Sequence, residues 1–177
     1  YNFSQPGAAY FYKARPSWHF PWRYDTNWTL TGGPHDWGAN PGSPNPPHAG
    51  EVSDGSGLDF APGADQRVYA AAGGEVYFAG PVDYGRTCNG APDKANVVKI
   101  RHPGGWETWY LHLREFAQAF DTLVNPIPVM QGGYLGEGGS TGACGKLHLH
   151  VELMRDGSHA SWDGHVIDGW TVHMNCV

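Results

Sequence analysis

Alternation of apolar and polar residues with a period of two dominates the second half of the chain and predicts short β-strands. Turn-forming Gly, Pro, Asn and Asp residues separate these segments. The predicted strands lie at residues 58–60, 67–71, 74–79, 96–102, 107–113, 135–137 and 147–154. One helical turn is expected around REFAQAF, residues 114–120. The pattern favours an all-β fold, an antiparallel sheet or sandwich with long loops.

The N-terminal third of the chain lacks this alternation. Residues 1–34 are rich in aromatic residues and are interrupted by Pro16 and Pro21, which predicts an irregular arm laid over the sheet. Residues 36–57 are dense in turn formers and predict one long loop, a feature that is often functional in a compact domain. A length of 177 residues suits one domain, residues 1–177.

Composition narrows the classes of partner. The 26 Gly and 14 Pro support strands joined by turns rather than helices. A net charge of -6 with only 11 Lys and Arg offers no basic surface, so we expect neither nucleic acid nor membrane as a partner. No segment is apolar enough to cross a bilayer, and no charged and apolar leader opens the chain. We expect a monomer.

Three cysteines, Cys88, Cys144 and Cys176, leave at least one without a partner in the chain. None belongs to a Cys-x-x-Cys motif. The aromatic-rich, lysine-poor composition favours a secreted protein with a disulfide between Cys88 and Cys144. Three reduced thiols are the alternative, and the partner of Cys176 stays open.

Two of the predicted strands carry histidines. In KLHLHVEL, residues 146–153, alternation places His148, His150 and Glu152 on one face and the aliphatic residues on the other. Such a pair fits either a solvated polar face or a site that binds a metal and moves protons. In WETWYLHL, alternation places His112 on the same face as Tyr110. Considered without the other motifs, His112 is expected to be a hydrogen-bonded structural residue.

Two further motifs offer metal ligands. Asp59 lies between Leu58 and Phe60 in SGLDFAPG, and a carboxylate held between large apolar residues needs a partner or a metal. His35 ends the Gly-Gly-Pro turn of TGGPH. Two imidazoles and one carboxylate are a common zinc ligand set in catalytic sites, with the fourth position left for water.

The four motifs TGGPH, SGLDFAPG, WYLHL and STGACGKLHLHVEL occur in this order between about His35 and Leu153. Together they resemble the lysostaphin-type zinc endopeptidases, most closely the branch containing staphylolysin and β-lytic endopeptidase. The resemblance implies a small antiparallel β fold with a central groove, Zn²⁺ as cofactor, and peptidoglycan peptides as partners. It also implies cleavage of glycine-containing peptides of bacterial cell walls.

Carried over residue by residue, the resemblance makes His35, Asp59 and His150 the zinc ligands. It makes His112 and His148 the two catalytic histidines. The loop after His35 is longer than in the family and contains a competing histidine, His48, but the Gly-Gly-Pro-His turn favours His35. The family usually has Gly-Pro directly before the His-x-His strand, whereas GACGK intervenes here.

Other polar residues near these motifs receive simpler interpretations. Tyr110 either orients a reacting carbonyl or only packs, and Glu152 is expected to be solvated or salt-bridged rather than a fourth ligand. Surface or loop positions are expected for the remaining histidines, which are His19, His102, His159, His165 and His173.

The resulting prediction is a secreted zinc metalloendopeptidase that hydrolyses peptide bonds in bacterial peptidoglycan, in glycine-containing cross-bridges or stem peptides. The main alternative is a non-catalytic module that binds cell wall or glycan on the same fold. A zinc-stabilised structural β domain is the third possibility, and it would need a fourth protein ligand that the motifs do not supply.

Overall fold

The computed structural model describes residues 16–23, 26, 28–35, 55–85, 87–120 and 125–173. Two short 3-10 turns, Pro103–Gly105 and Gln118–Phe120, accompany the strands. The strands of these residues, in chain order, are β1 Thr29–His35, β2 Gly57–Ala61, β3 Arg67–Tyr69, β4 Gly74–Val82, β5 Thr87–Cys88, β6 Ala91–Pro92, β7 Ala95–His102, β8 Trp106–Leu111, β9 Leu113–Phe116, β10 Ile127–Val129, β11 Tyr134–Gly138, β12 Leu149–Arg155, β13 Ser158–His159, β14 Val166–Ile167 and β15 Trp170–Thr171.

The strands form one large sheet and three small ones. The eight-stranded sheet has the order β1-β2-β12-β8-β7-β4-β10, with β13 paired to β12. A three-stranded sheet has the order β3-β11-β9, and β5-β6 and β14-β15 are separate hairpins. Paired strands run antiparallel throughout these sheets. The predicted all-β antiparallel fold is confirmed.

The main core lies on one face of the large sheet, where the three-stranded sheet packs against it. Because side chains alternate along each strand, every second residue of the central strands enters this core. Both sheets contribute fully buried side chains to it, among them Val98, Ile100, Tyr110, Val151 and Leu153 from the large sheet and Val68, Leu113 and Leu135 from the small one.

The sequence prediction located the central strands and missed how one of them ends. Residues 107–113 were expected to form a single strand, but the chain breaks at His112, whose φ is 68°. After this break Leu113–Phe116 forms β9 and joins the other sheet, so the predicted helical turn at 114–120 is wrong except for Gln118–Phe120. Similarly, β12 begins only at Leu149, which leaves Leu147 exposed instead of buried with the aliphatic face.

One residue of the described N-terminal arm, Trp18, belongs to the core, and Phe20, Trp22 and Trp28 pack against the core from outside, partly buried. Trp18 is only 2% exposed and contacts the rings of Trp106 and Trp162 edge to face. Its indole N–H donates to Nδ1 of His165 at 2.9 Å. The expectation of an irregular arm through residue 34 is also wrong at its end, because Thr29–His35 forms edge strand β1. Of the predicted loop 36–57, residues 36–54 lie outside the described residues.

The predicted disulfide between Cys88 and Cys144 is present, with the two Cα atoms 5.4 Å apart. It joins the β5-β6 hairpin to the loop that leads from β11 into β12. Cys176 lies outside the described residues. The β5-β6 hairpin is therefore covalently linked to the segment just before the His-x-His strand.

Replacing both Cys88 and Cys144 with Ser is expected to lower the free energy of unfolding by about 2–4 kcal/mol, because the crosslink restricts the unfolded chain. The two cysteines are 56 residues apart, a long closed loop. Chemical denaturation followed by tryptophan fluorescence measures the change. Reduced wild-type protein is the control and should match the double variant; equal stability of oxidised and reduced protein would contradict the prediction.

Candidate metal centre and active site

The pairing of β2 with β12 brings together two of the predicted metal ligands. Asp59 lies directly opposite His150 in this antiparallel ladder. Nδ1 of His150 lies 2.8 Å from Oδ1 of Asp59. Directly opposed residues of neighbouring strands share a face of the sheet, so the register alone places the carboxylate and the imidazole side by side.

A second carboxylate, that of Glu152, holds the other side of the His150 ring. Its Oε2 lies 2.7 Å from Nε2 of His150, and its Oε1 lies 2.9 Å from Nδ1 of His159. Glu152 is 0% exposed, so the expectation of a solvated residue is wrong, while the expected ionic partner is present. Burial alone would raise the pKa of Glu152, but its contacts with His150, Ser56 and His159 lower it overall.

The two neighbouring carboxylates favour the protonated form of His150. Burial lowers the pKa of His150, yet the hydrogen bonds and charges of Asp59 and Glu152 outweigh burial and raise it to about 9. A buried imidazole between two carboxylates therefore attracts positive charge, which either a proton or a metal cation supplies. Metal-binding histidines commonly donate their second ring N–H to a carboxylate, as Nε2 of His150 is placed to do toward Glu152.

The backbone of His35 lies on the strand next to that of Asp59. In the pairing of β1 with β2, His35 lies opposite Gly57, and Gly32 lies opposite Asp59. Close approach of these strands requires glycine: at Gly33, with φ 106°, a Cβ atom would lie 2.5 Å from the carbonyl oxygen of Gly57. His35 thus lies one strand away from Asp59 at the end of β1. The competing residue, His48, lies outside the described residues.

The two predicted catalytic histidines lie beside these ligands. The ring centroid of His112 is 4.4 Å from that of His148 and 6.2 Å from that of His150. Nε2 of His148 lies 4.0 Å from Oδ1 of Asp59. The structure therefore brings together Asp59 and three of the four predicted site histidines, His112, His148 and His150.

Backbone carbonyls fix the tautomer of both histidines. Nδ1–H of His112 donates to the carbonyl of Thr141 at 2.7 Å, and Nδ1–H of His148 donates to the carbonyl of Lys146 at 3.0 Å. Since a carbonyl oxygen only accepts hydrogen bonds, the proton of each neutral ring is on Nδ1. Nε2 of each ring then carries a lone pair that can accept a proton.

His112 is neutral near pH 7. Its burial and, secondarily, the neighbouring His148 ring lower the pKa of His112 to about 3. The break at His112, with φ 68°, turns this residue out of the alternation of β8. Predicted alternation placed His112 on the face of Tyr110, and this is wrong for that reason.

Tyr110 has a structural role. It lies opposite Val151, on the core face of the sheet, whereas Leu111 lies opposite His150 on the site face. The Tyr110 hydroxyl accepts hydrogen bonds from the backbone N–H of Ala71 and the hydroxyl of Thr108. The packing interpretation of Tyr110 is correct, and its hydroxyl does not face the histidines.

The loop that orients His112 is held by Asp93. The Asp93 carboxylate accepts hydrogen bonds from the backbone N–H groups of Gly142 and Cys144, at 2.9 Å and 2.8 Å. Its oxygens also lie close to the sulfurs of Cys88 and Cys144, but these sulfurs are joined to each other and are not free thiolate ligands. Asp93 and the disulfide therefore hold the Thr141 carbonyl against His112.

Two of the remaining histidines are not at the surface. His102, at the end of β7, is only 6% exposed, so the expectation of a surface or loop position is wrong for it. His165 is only 4% exposed but lies in the loop before β14, so the loop expectation holds for it. His102 contacts Gly73 and Thr108, and burial lowers its pKa. His159, near the surface, contacts Glu152. The sequence signal that pointed to Glu152 was its place two residues after His150 on the same strand face.

The family follows from comparison with known proteins. Residues 53–162, more than half of the chain, match the model of Peptidase family M23. The chain therefore belongs to this peptidase family, and the predicted family is confirmed. The matched range includes Asp59, His112, His148 and His150.

Two curated bacterial relatives each match a little over half of the chain. The DD-carboxypeptidase/endopeptidase Mpg of Neisseria meningitidis is 36% identical over 103 residues, which cover 58% of this chain and 20% of that protein. The cell division protein DipM of Caulobacter vibrioides is 31% identical over 104 residues, which cover 59% of this chain and 15% of that protein. The matched region thus spans a fifth or less of these relatives.

Solved structures share the fold. The M23 metalloprotease pseudoalterin, from the deep sea, has a TM-score of 0.58 at 19% identity, with 89% of this chain and 82% of that chain covered. Lysostaphin of Staphylococcus simulans has a TM-score of 0.52 at 24% identity, with 81% and 49% covered. A zinc-containing peptidase from Vibrio cholerae has a TM-score of 0.56 at 22% identity, with 82% and 39% covered.

Changing Glu152 to Gln is expected to weaken zinc binding by about 10- to 100-fold, because the buried carboxylate no longer orients His150. Competition with a chromophoric zinc chelator measures the affinity. Glu107→Gln is a matched control, since Glu107 is a carboxylate on neighbouring strand β8 that bonds to Tyr77 and Trp109 instead. Equal zinc affinity of Glu152→Gln and wild type would show that Glu152 only fills space.

Proposed function

We propose that this protein is a zinc-dependent endopeptidase that hydrolyses peptide bonds in bacterial cell-wall peptidoglycan, within glycine-containing cross-bridges or stem peptides. The observation that carries the proposal is the β2-β12 register, which pairs Asp59 with His150 and places His148 two residues away. Membership of a peptidase family and relatives named as an endopeptidase and a cell division protein support the substrate class.

The donor set fits zinc. Carboxylate oxygen and imidazole nitrogen are zinc ligands, and Asp59 and His150 present one of each within 2.8 Å. His35, on the strand next to Asp59, is the proposed third ligand. Three protein ligands are typical of a catalytic zinc site that keeps one position open. A zinc ion bound there would supply Lewis-acid polarisation of the scissile carbonyl and acidify water at the site.

His112 and His148 perform the proton transfers in this proposal. Each neutral ring has Nδ1 held by a backbone carbonyl, so Nε2 is the atom that accepts a proton from the attacking water. The ring that has taken the water proton then donates that same proton from Nε2 to the leaving amine, which returns the ring to its neutral state. The ring centroids of His112 and His148 are 4.4 Å apart, so both rings can act on one reacting centre.

Preference for glycine has a steric basis in this proposal. A peptide without Cβ atoms approaches a sheet face closely and adopts backbone angles that other residues do not reach. We further propose that the peptidase is secreted, for which the Cys88–Cys144 disulfide is supporting evidence, and that these residues act as one monomeric domain. Among the described residues, none forms a helix long and apolar enough to cross a membrane.

Digestion of purified peptidoglycans of different cross-bridge types tests the proposal most broadly. New amino and carboxyl termini, identified by mass spectrometry, are expected between residues of the peptide part. Binding to cell wall without new termini would support the non-catalytic module instead. Retained zinc with neither binding nor hydrolysis would support a structural zinc domain.

Substitutions of the proposed metal ligand and of the proposed proton-transfer residues should have different effects on zinc content and activity. His150→Ala is expected to lose both zinc and activity, whereas His148→Ala and His112→Ala should keep zinc and lose about 10²- to 10⁴-fold in turnover. Metal analysis together with hydrolysis of a pentaglycine peptide measures both properties. If His148→Ala released zinc and His150→Ala retained it, the assigned roles on β12 would be reversed.

The choice between two histidines near the long loop has its own test. His35→Ala is expected to reduce zinc content sharply, because β1 places His35 one strand away from Asp59. His48→Ala is the matched control and should leave zinc content at the wild-type level. Metal analysis after dialysis decides, and the opposite pattern would make His48 the ligand.

A further inference from the structure

An apolar shelf begins directly beside the metal centre. Leu111 lies opposite His150 and also opposite Val97 of β7, so all three side chains lie on the site face of the large sheet. This face carries a second hydrophobic cluster, separate from the main core. We call it the apolar shelf. Its buried part is Ala95, Val97 and Leu111, at most 2% exposed, and the partly buried Phe78, Val82 and Trp109 pack against them and form its accessible part.

Lys99 stands on this shelf, one row from His150. It lies opposite Trp109, which in turn lies opposite Glu152. Its Nζ is 3.5 Å from the centroid of the Trp109 ring and 5.5 Å from that of Phe78. Burial of the ammonium between these rings lowers the pKa of Lys99.

Glu107, whose charge acts on Lys99, is engaged by other side chains. Glu107 accepts hydrogen bonds from the Tyr77 hydroxyl and the Trp109 indole and forms an ion pair with Arg101. Among the described residues, no carboxylate oxygen forms an ion pair with Lys99. In a chain with net charge -6, one partly buried cation on the site face is therefore paired with aromatic rings rather than with an acid.

We propose that Lys99 and the partly buried rings of the apolar shelf, Trp109 and Phe78, form a subsite for a carboxylate of the peptide substrate. The inference rests on the proposed peptidase function and adds a substrate class to it. An ammonium partly removed from water by aromatic walls attracts an anion more strongly than an exposed one does. A carboxylate arriving on the shelf would gain this attraction, whereas an uncharged glycine chain would not.

The sheet geometry indicates where that carboxylate lies in the substrate. Lys99 is two strands away from His150, about 10 Å, and two residues along, about 7 Å. The combined separation of about 12 Å corresponds to about three to four residues of extended peptide. The favoured substrates are therefore peptides with an acidic side group or a free terminal carboxylate about three residues from the cleaved bond.

A series of end-blocked glycine peptides tests this subsite. Each peptide carries one Glu, or Gln as its uncharged counterpart, one to five residues on either side of a central Gly-Gly bond. Fluorescence anisotropy measures binding and mass spectrometry measures kcat/KM. Wild type is expected to favour Glu over Gln by about 5- to 20-fold, with the maximum near the third position on one side.

Two variants separate the subsite from general charge effects. Lys99→Met keeps the aliphatic stem on Trp109 and should abolish the preference for Glu while leaving the Gln peptides unchanged. Lys94→Met removes the same charge from an exposed position between β6 and β7 and should keep the preference. Lys99→Met that weakens both peptides equally, or that keeps the preference, would overturn the proposal.

Failure of the peptidase function is distinguishable from failure of the subsite. If wild type binds the peptides without hydrolysing them, the proposed function fails, and a preference for Glu that depends on Lys99 still supports the subsite. If wild type binds Glu and Gln peptides equally at every position, the subsite is refuted whether or not hydrolysis occurs.

Discussion

The antiparallel contact between β2 and β12 is the constraint on which the site depends. It sets Asp59 against one nitrogen of His150, while Glu152, two residues further along β12, contacts the other. Two carboxylates around one buried imidazole would cost several kcal/mol without a compensating positive charge. A proton on His150 or a metal cation beside it supplies that charge, and the proposed zinc would connect the strand register with metal chemistry in this way.

The loops around the central strands position His112 beside the residues that the β2-β12 register brings together. The break at His112 brings its ring beside His148, at 4.4 Å between centroids, and the Thr141 carbonyl orients it. Asp93 and the disulfide from Cys88 hold that loop in place. A flexible loop would leave the histidine free to rotate, so the crosslink also has a functional consequence, since positioning determines how well a proton is transferred.

Local periodicity was sufficient to predict the central strands and the shared face of His148, His150 and Glu152. It could not predict that both faces of β12 are buried, because burial of the second face depends on distant segments such as the residues around Ser56 and His159. Nor could alternation show that His112 leaves its strand, since a positive φ in a non-glycine residue has no sequence signature. The core position of Trp18 was not predicted, because its proline-rich segment has no regular alternation of apolar and polar residues.

X-ray absorption at the zinc edge of the purified protein tests the central claim most directly. We expect one zinc per chain with only nitrogen and oxygen ligands at about 2.0–2.2 Å, and outer-shell scattering from two imidazole rings. Removing the carboxylate in Asp59→Ala should abolish that signal. A sulfur shell near 2.3 Å, or a protein that binds no zinc although Asp59 and His150 are intact, would contradict it.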